Sequence, residues 1–270
     1  MFEIDPSSAF GIAFLVILYA TVAWRLGRRP TQRQVFFFCL LILAMLITFG
    51  PLDELSDDRS FWAHMLEHSI QSWVIPPLFL LSIPDWMLRP IVMSRPILPL
   101  ARFFSKPVVA FLTFTVVYVF VHDPPVFNLM MTDGAFHIAV HIAFMVAGTI
   151  LFWPLLSPMP EFPRLSYPGQ ILYLFLLMIP MTAVAAPITL SESVTYPWYA
   201  ATPHPFGLTP REDQVIGGIL MWVADSFYLM VVTTLIFFRW ARSDEIEEPA
   251  INLRRPPDLR VLRHRRDAGV

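Results

Sequence analysis

The chain has 270 residues, 56% of them hydrophobic and only 15% charged, with a formal net charge of −2. Soluble domains are about one quarter charged, so this balance excludes an ordinary water-soluble domain, and no nucleic-acid partner is expected. The single cysteine, Cys39, excludes a disulfide framework and a CxxC metal ribbon.

The apolar residues fall in blocks of roughly 17–25, the length that spans a bilayer as helix. Seven blocks predict seven transmembrane helices, over residues 8–26, 34–49, 61–82, 107–121, 134–155, 169–188 and 214–240. Glu3 and Asp5 precede the first block, which is therefore expected to be a helix rather than a cleavable signal. Arg25, Arg28, Arg29 and Arg33 follow that block. Arg89, Arg95, Arg102 and Lys106 separate the third from the fourth, and Arg164 the fifth from the sixth. Eight arginines, from Arg239 to Arg266, lie at the end of the chain. The alternate connections hold only Arg59 and Arg211 and are acidic, with Asp53, Glu54, Asp123, Asp133, Glu192, Glu212 and Asp213 among them. Seventeen of the 19 basic residues thus sort to one side. Positive loops stay cytoplasmic, so the N-terminus is expected outside and the C-terminus inside. The fold class is therefore an all-α, polytopic bundle over residues 1–240. A cytoplasmic, Arg-rich tail (241–270) is expected to be disordered and to meet, at most, anionic membrane lipid.

Ionisable groups inside a membrane cost a few kcal/mol each and face the bundle interior. Here they gather at one depth. The third block opens with His64 and His68, four residues apart and so on one helical face, with Glu67 beside them. The fifth opens with His137 and His141, again four apart, with Met145 one turn deeper. Asp213, Gly217, Met221 and Asp225 form a third stripe in the seventh block, and His122 closes the fourth at the same surface. His204 falls in a loop, and His264 in the tail is read as a solvated residue. Two such histidine pairs can offer up to four imidazoles to one metal or to two neighbouring ones. Imidazole suits Zn, Cu, Fe and Ni, and nearby thioethers tilt the choice towards Cu(I). The expected ligands are His64, His68, His137, His141, Met221 and Asp213. Glu67, His122, Met145 and Asp225 are expected as auxiliary or second-layer groups. Asp225 reads equally as a proton-relay group or as a structural acid paired with interior donors.

Other readings stay open on these residues. His64 to His68 reads HxxEH, the inverted zincin pattern, which would make Glu67 the general base of a membrane zinc metalloprotease. A b-type cytochrome needs imidazoles on both sides of a porphyrin; one i, i+4 pair cannot supply them, though pairing across the third and fifth blocks stays open, and no haem is expected. A copper transporter would need a path below Asp225, where polar residues thin out. The only lysine, Lys106, lies in a loop, which excludes a retinal Schiff base within the bundle. Nucleophile triads, phosphate loops and nucleotide fingerprints are missing from the sequence, so a conventional enzyme is not expected.

Six segments add a resemblance: FGPLDEL (49–55), AHMLEHSIQSWVIPPLFLL (63–81), HDPPVFNLMM (122–131), FHIAVHIAFMVAGTILFWPLL (136–156), RLSYPGQILYLFLLMIPMTAVAA (164–186) and DQVIGGILMW (213–222). In order and spacing, over roughly residues 50–240, the chain resembles the multi-spanning CtaG family of cytochrome c oxidase assembly factors. The resemblance implies a bacterial plasma-membrane protein that helps metallate the catalytic subunit of the oxidase with copper. It implies an extracytoplasmic copper chaperone as a possible donor. A scaffold that stabilises the oxidase subunit without touching metal is the alternative. On this likeness His64, His68, His137 and His141 are the paired histidines, with Asp213 and Met221 nearby. Two departures stand out: Glu67 where the pattern has Gln, and Ala224-Asp225 where it has Pro-Gly.

Overall fold

The structure, a computed structural model, describes residues 6–201 and 205–254. It is all-helical, with no strand among the described residues. Helices α1 (Pro6–Arg25) and α2 (Gln32–Ile47) form a hairpin at the edge of the bundle. A capping box opens α2: the Thr31 hydroxyl accepts from the Gln34 N–H, and the Gln34 side chain accepts from the Thr31 N–H. A wide π-helical turn (Thr48–Leu52), kinked at Phe49 and Gly50, then leads into the short α3 (Asp53–Arg59).

The central element is one helical path from Phe61 to Ser82. It comprises α4 (Phe61–Ser69), a π-helical turn (Ile70–Val74) and α5 (Ile75–Ser82). Pro76 and Pro77 lack the N–H groups that an α ladder needs, and the wider turn stands immediately before them. Two short helices, α6 (Asp85–Val92) and α7 (Leu98–Phe104), cross to α8 (Pro107–Val121). Next come α9 (Pro124–Thr132) and α10 (Gly134–Leu156), which packs on α8 and α5. Gly148 makes that packing possible. A Cβ there would stand 2.7 Å from the Pro76 ring and 3.0 Å from the Ser72 carbonyl. Helix α11 (Tyr167–Leu190) and the single turn α12 (Pro197–Ala200) precede α13 (Pro210–Ile219). A third π-helical turn (Leu220–Ala224) joins α13 to α14 (Asp225–Arg254).

Five helical stretches are long and apolar enough to cross a membrane: Ser8–Arg25, Gln32–Ser56, Gly134–Leu156, Tyr167–Leu190 and Pro210–Ser243. Counting α7 and α8 as one span bent by 83° makes six. The sequence predicts seven. The differences lie at the third and fourth blocks and have physical causes. Four polar side chains, His64, Glu67, His68 and Gln71, lower the apolarity of the central helix. Helix α8 has 15 residues, about 22 Å of rise, and falls short of the hydrocarbon thickness. The last helix runs on to Arg254, into the segment whose composition predicts disorder; its Glu-rich run favours helix once a helix precedes it. The remainder of that tail, 255–270, and His204 lie outside the described residues.

Trp73 of the central helix and side chains from its neighbours, including Phe114, Phe144, Phe152 and Leu177, form the main core. The outward faces are apolar too: Phe14, Val116, Ile142, Phe175, Phe227 and Leu235 are all exposed. A helix apolar all round belongs in a membrane.

Candidate metal centre

The site is built at the start of α4. The first N–H groups of any helix lack intrahelical partners, and Ser60 makes no side-chain cap of its own. Asp213, reaching across from α13, supplies the acceptor. Its carboxylate accepts from the Ser60 hydroxyl at 2.9 Å, the Phe61 N–H at 2.7 Å and the Trp62 N–H at 3.0 Å. Gly217, one turn further along α13, lets the Phe61 ring come close; a Cβ there would stand 2.5 Å from it. Asp213 therefore anchors the histidine helix. The sequence pattern presents it as a metal ligand; the structure commits its oxygens to three donors, because a buried helix N-terminus demands an anion.

His64 and His68 follow one and two turns later, both fully buried. His141 of α10 meets them, so that ligand atoms of His64, His68 and His141 all lie within 4.8 Å of one another. Nε2 of His64 is 2.9 Å from Nε2 of His68. His137 stacks on His64, with ring centroids 5.4 Å apart and planes within 9°. His122, the C-cap of α8, lies edge-on to His68 at 5.7 Å. Five histidines thus form one layer, and three of them converge on a point.

The surrounding groups set which nitrogen faces which way. The Tyr199 hydroxyl has one proton and donates it to the Ser56 carbonyl at 2.7 Å. Its oxygen is then the acceptor for Nδ1–H of His64 at 3.1 Å. That tautomer turns an Nε2 lone pair towards His68. Nδ1–H of His122 donates to the Tyr118 carbonyl at 2.7 Å, again freeing a lone pair on Nε2. The Tyr196 hydroxyl holds the His122 carbonyl at 2.9 Å. Burial pushes that hydroxyl above the ordinary phenol range, with Asp123 adding to the effect, so it stays a donor. Glu67 accepts from the Ser56 hydroxyl at 2.7 Å and from the Gln71 side chain at 2.9 Å. It also stands 3.4 Å from Nδ1 of His141, where Gln71 Nε2 is 3.2 Å away. Glu67 is therefore a neighbour that orients His141, one of the roles its position suggests. Among the described residues, Nδ1 of His68, Nε2 of His122 and Nε2 of His141 are buried without a hydrogen-bond partner from the protein.

The methionines separate. Met221, expected as a ligand, is buried with Met65 in the main apolar core. Met145 instead lines a cavity of about 460 Å³ together with His137 and His141. Asp225 accepts from the Ser69 hydroxyl and from Trp73 Nε1, both at 3.0 Å. Of its two readings, the acid paired with interior donors is the one the geometry matches. Sequence reasoning missed Ser56, Gln71, Tyr196 and Tyr199. Gln71 was legible, since it falls one turn after Glu67 and faces the same way. The tyrosines lie in the TYPWYA segment before α13, where no periodicity marks them.

A family model described as cytochrome c oxidase caa3 assembly factor (Caa3_CtaG) matches residues 17–243. The chain belongs to that family. Uncharacterised proteins of Mycobacterium bovis and Mycobacterium tuberculosis are each 26% identical over 224 residues, covering 74% of this chain and 33% of theirs. An uncharacterised protein of Mycobacterium leprae is 25% identical over 209 residues, covering 68% of this chain and 30% of its own. The chain thus spans about a third of the length of the curated relatives it matches. No solved structure matches it.

Proposed function

We propose that this chain is a copper-handling assembly factor, which holds Cu(I), or Cu(II) transiently, in the histidine layer and passes it to the catalytic subunit of a cytochrome c oxidase. One observation carries the reading: three buried imidazoles from two helices converge within 4.8 Å, and ring nitrogens of His68, His122 and His141 have no partner among the described residues. An unsatisfied buried polar atom costs about 1–3 kcal/mol, and a metal ion at this point relieves that cost for several atoms at once. The proton that lies between the facing Nε2 atoms of His64 and His68 can move to Nδ1 of His68, so neutral imidazoles take up the ion without net proton release.

The donor set suits a monovalent soft ion. The converging ligands are neutral, Glu67 is engaged by Ser56 and Gln71, and the cost of burying a cation in low dielectric rises with the square of its charge. The same engagement of Glu67 argues against a zinc-hydrolase base. Directly touching rings, with His64 and His68 centroids 4.3 Å apart, leave no gap for a porphyrin. The role is transfer rather than catalysis.

We place the protein in the bacterial plasma membrane with seven crossings, the central helix from Phe61 to Ser82 being one of them. The sorting of basic residues supports an outer N-terminus and a histidine layer near the extracytoplasmic face, where a copper chaperone can act as donor. The test is metal analysis of detergent-purified protein beside its absorption spectrum. Copper should co-purify without a Soret band, and His64→Ala combined with His141→Ala should remove the metal while elution volume and helicity persist. Copper held at wild-type stoichiometry in that double variant would refute the site.

A further inference from the structure

We infer that Cu(I) enters and leaves the histidine layer through a single groove between α1, α2 and α10, and that His137 is the exchange ligand at its mouth. The inference rests on the metal-binding reading above. The groove is the cavity of about 460 Å³ lined by His137, His141 and Met145. Its rim carries Gly11 of α1, Asp53 of α3 and Gly134 at the first position of α10. Exposure is graded along it. Gly11 and Gly134 are exposed, His137 is half-buried, and His141 is buried. A cation arriving at the rim meets the Asp53 carboxylate, then a half-exposed imidazole, then one whose Nε2 has no protein partner. Each step replaces part of the hydration shell before the next part is lost, which lowers the cost of desolvating an ion in an apolar wall.

The stacked ring of His137 lies 5.4 Å from His64 and 4.3 Å from His141 by centroids. It therefore stands between the rim and the converging trio. A groove ligand beside a buried set allows associative exchange, in which the ion is never without a donor.

The route ends there. The groove adjoins a second cavity of about 460 Å³, with Met45 and Met145 lining both. That second cavity is walled by Leu15, Phe79, Phe104 and Trp153, and no charged or imidazole side chain lines it among the described residues. An ion passing Met45 and Met145 would find only the hydroxyls of Ser105 and Thr149 in an otherwise apolar wall. The same mouth must therefore serve loading and release, as a transfer protein requires and a transporter does not. Tyr19 holds the far half of helix α1 by donating to the Ser82 carbonyl and stacking on Phe38, whereas at the groove Gly11 is exposed beside the buried Ile12.

Nothing lies within 4 Å of a Cβ built at Gly11 or at Gly134. Gly11→Trp and Gly134→Trp can therefore plug the mouth without disturbing the fold, with Leu172→Trp on the exposed face of α11 as control. The full-length protein in detergent is loaded from a Cu(I)–bicinchoninate complex and unloaded to bathocuproine, with both rates and the final stoichiometry recorded. Both rates should fall by at least about tenfold in either plugged variant, with affinity and stoichiometry unchanged, because a plug alters the barrier and not the bound state. His137→Ala should slow exchange and also weaken affinity. Wild-type rates in both plugged variants, with normal stoichiometry, overturn the route and leave the metal site standing. If the wild-type protein takes up no Cu(I), the metal reading itself fails and the route with it.

Discussion

Two sets of buried polar groups share this bundle and are satisfied to different degrees. Asp213 and Asp225 are saturated by protein: three donors converge on the first, and a hydroxyl and an indole N–H on the second. In the histidine layer between them, ring nitrogens of His68, His122 and His141 have no partner among the described residues. In a medium without water every polar group needs a partner, so the saturated acids belong to the architecture and the unsatisfied imidazoles are where we propose that a ligand binds. On hydropathy alone the histidines and acids of the spans look alike. Only the accounting of donors and acceptors divides them.

That division can be broken in order of expected effect. Asp213→Ala orphans the Ser60 hydroxyl and two N–H groups at once. It should lower stability by about 3 kcal/mol, measured as the thermal midpoint in detergent; an unshifted midpoint would mean that the anchor is not structural. Copper should act in the opposite sense on the other set. At a hundredfold excess over the dissociation constant, binding to the native state alone stabilises by about 2.7 kcal/mol. The same scan with Cu(I) should show that gain in the wild type and none in the His64→Ala, His141→Ala variant. Glu67→Gln keeps an acceptor for Ser56 but puts an amide in place of the carboxyl group beside His141, and second-layer changes of this kind weaken metal binding by about 10–100-fold. Competition against a chromogenic Cu(I) chelator reads that shift, and an unchanged affinity would detach Glu67 from the site. Asp225→Asn should do least. The amide oxygen still accepts from Ser69 or Trp73, so a loss below about 1 kcal/mol and an unaltered copper content are expected; a loss of copper would move Asp225 into the functional set.

Much of the site is legible in the sequence. His64 with His68, and His137 with His141, share helical faces by spacing alone, and charge sorting puts both pairs at one depth. In the fold the two pairs meet, with His122 alongside. The trio that converges, however, is His64, His68 and His141, with His137 displaced towards the groove. Asp213 diverges because the start of α4 claims its oxygens, and Met221 because the four-residue spacing from Asp213 to Asp225 assumes an unbroken α-helix. The π-helical turn at Leu220–Ala224 breaks that regularity. Periodicity cannot register one extra residue in a turn.

By itself the sequence determined the helical class, the membrane-suited composition, the family's segments and the faces on which histidines lie. These follow from local quantities: hydropathy over a window, spacing against 3.6 residues per turn, and charge between blocks. Tertiary structure alone decided which polar groups were consumed by other helices and which were left over. A carboxylate becomes an anchor or a ligand according to the donors that arrive from residues up to 156 positions away, and no local pattern records those arrivals.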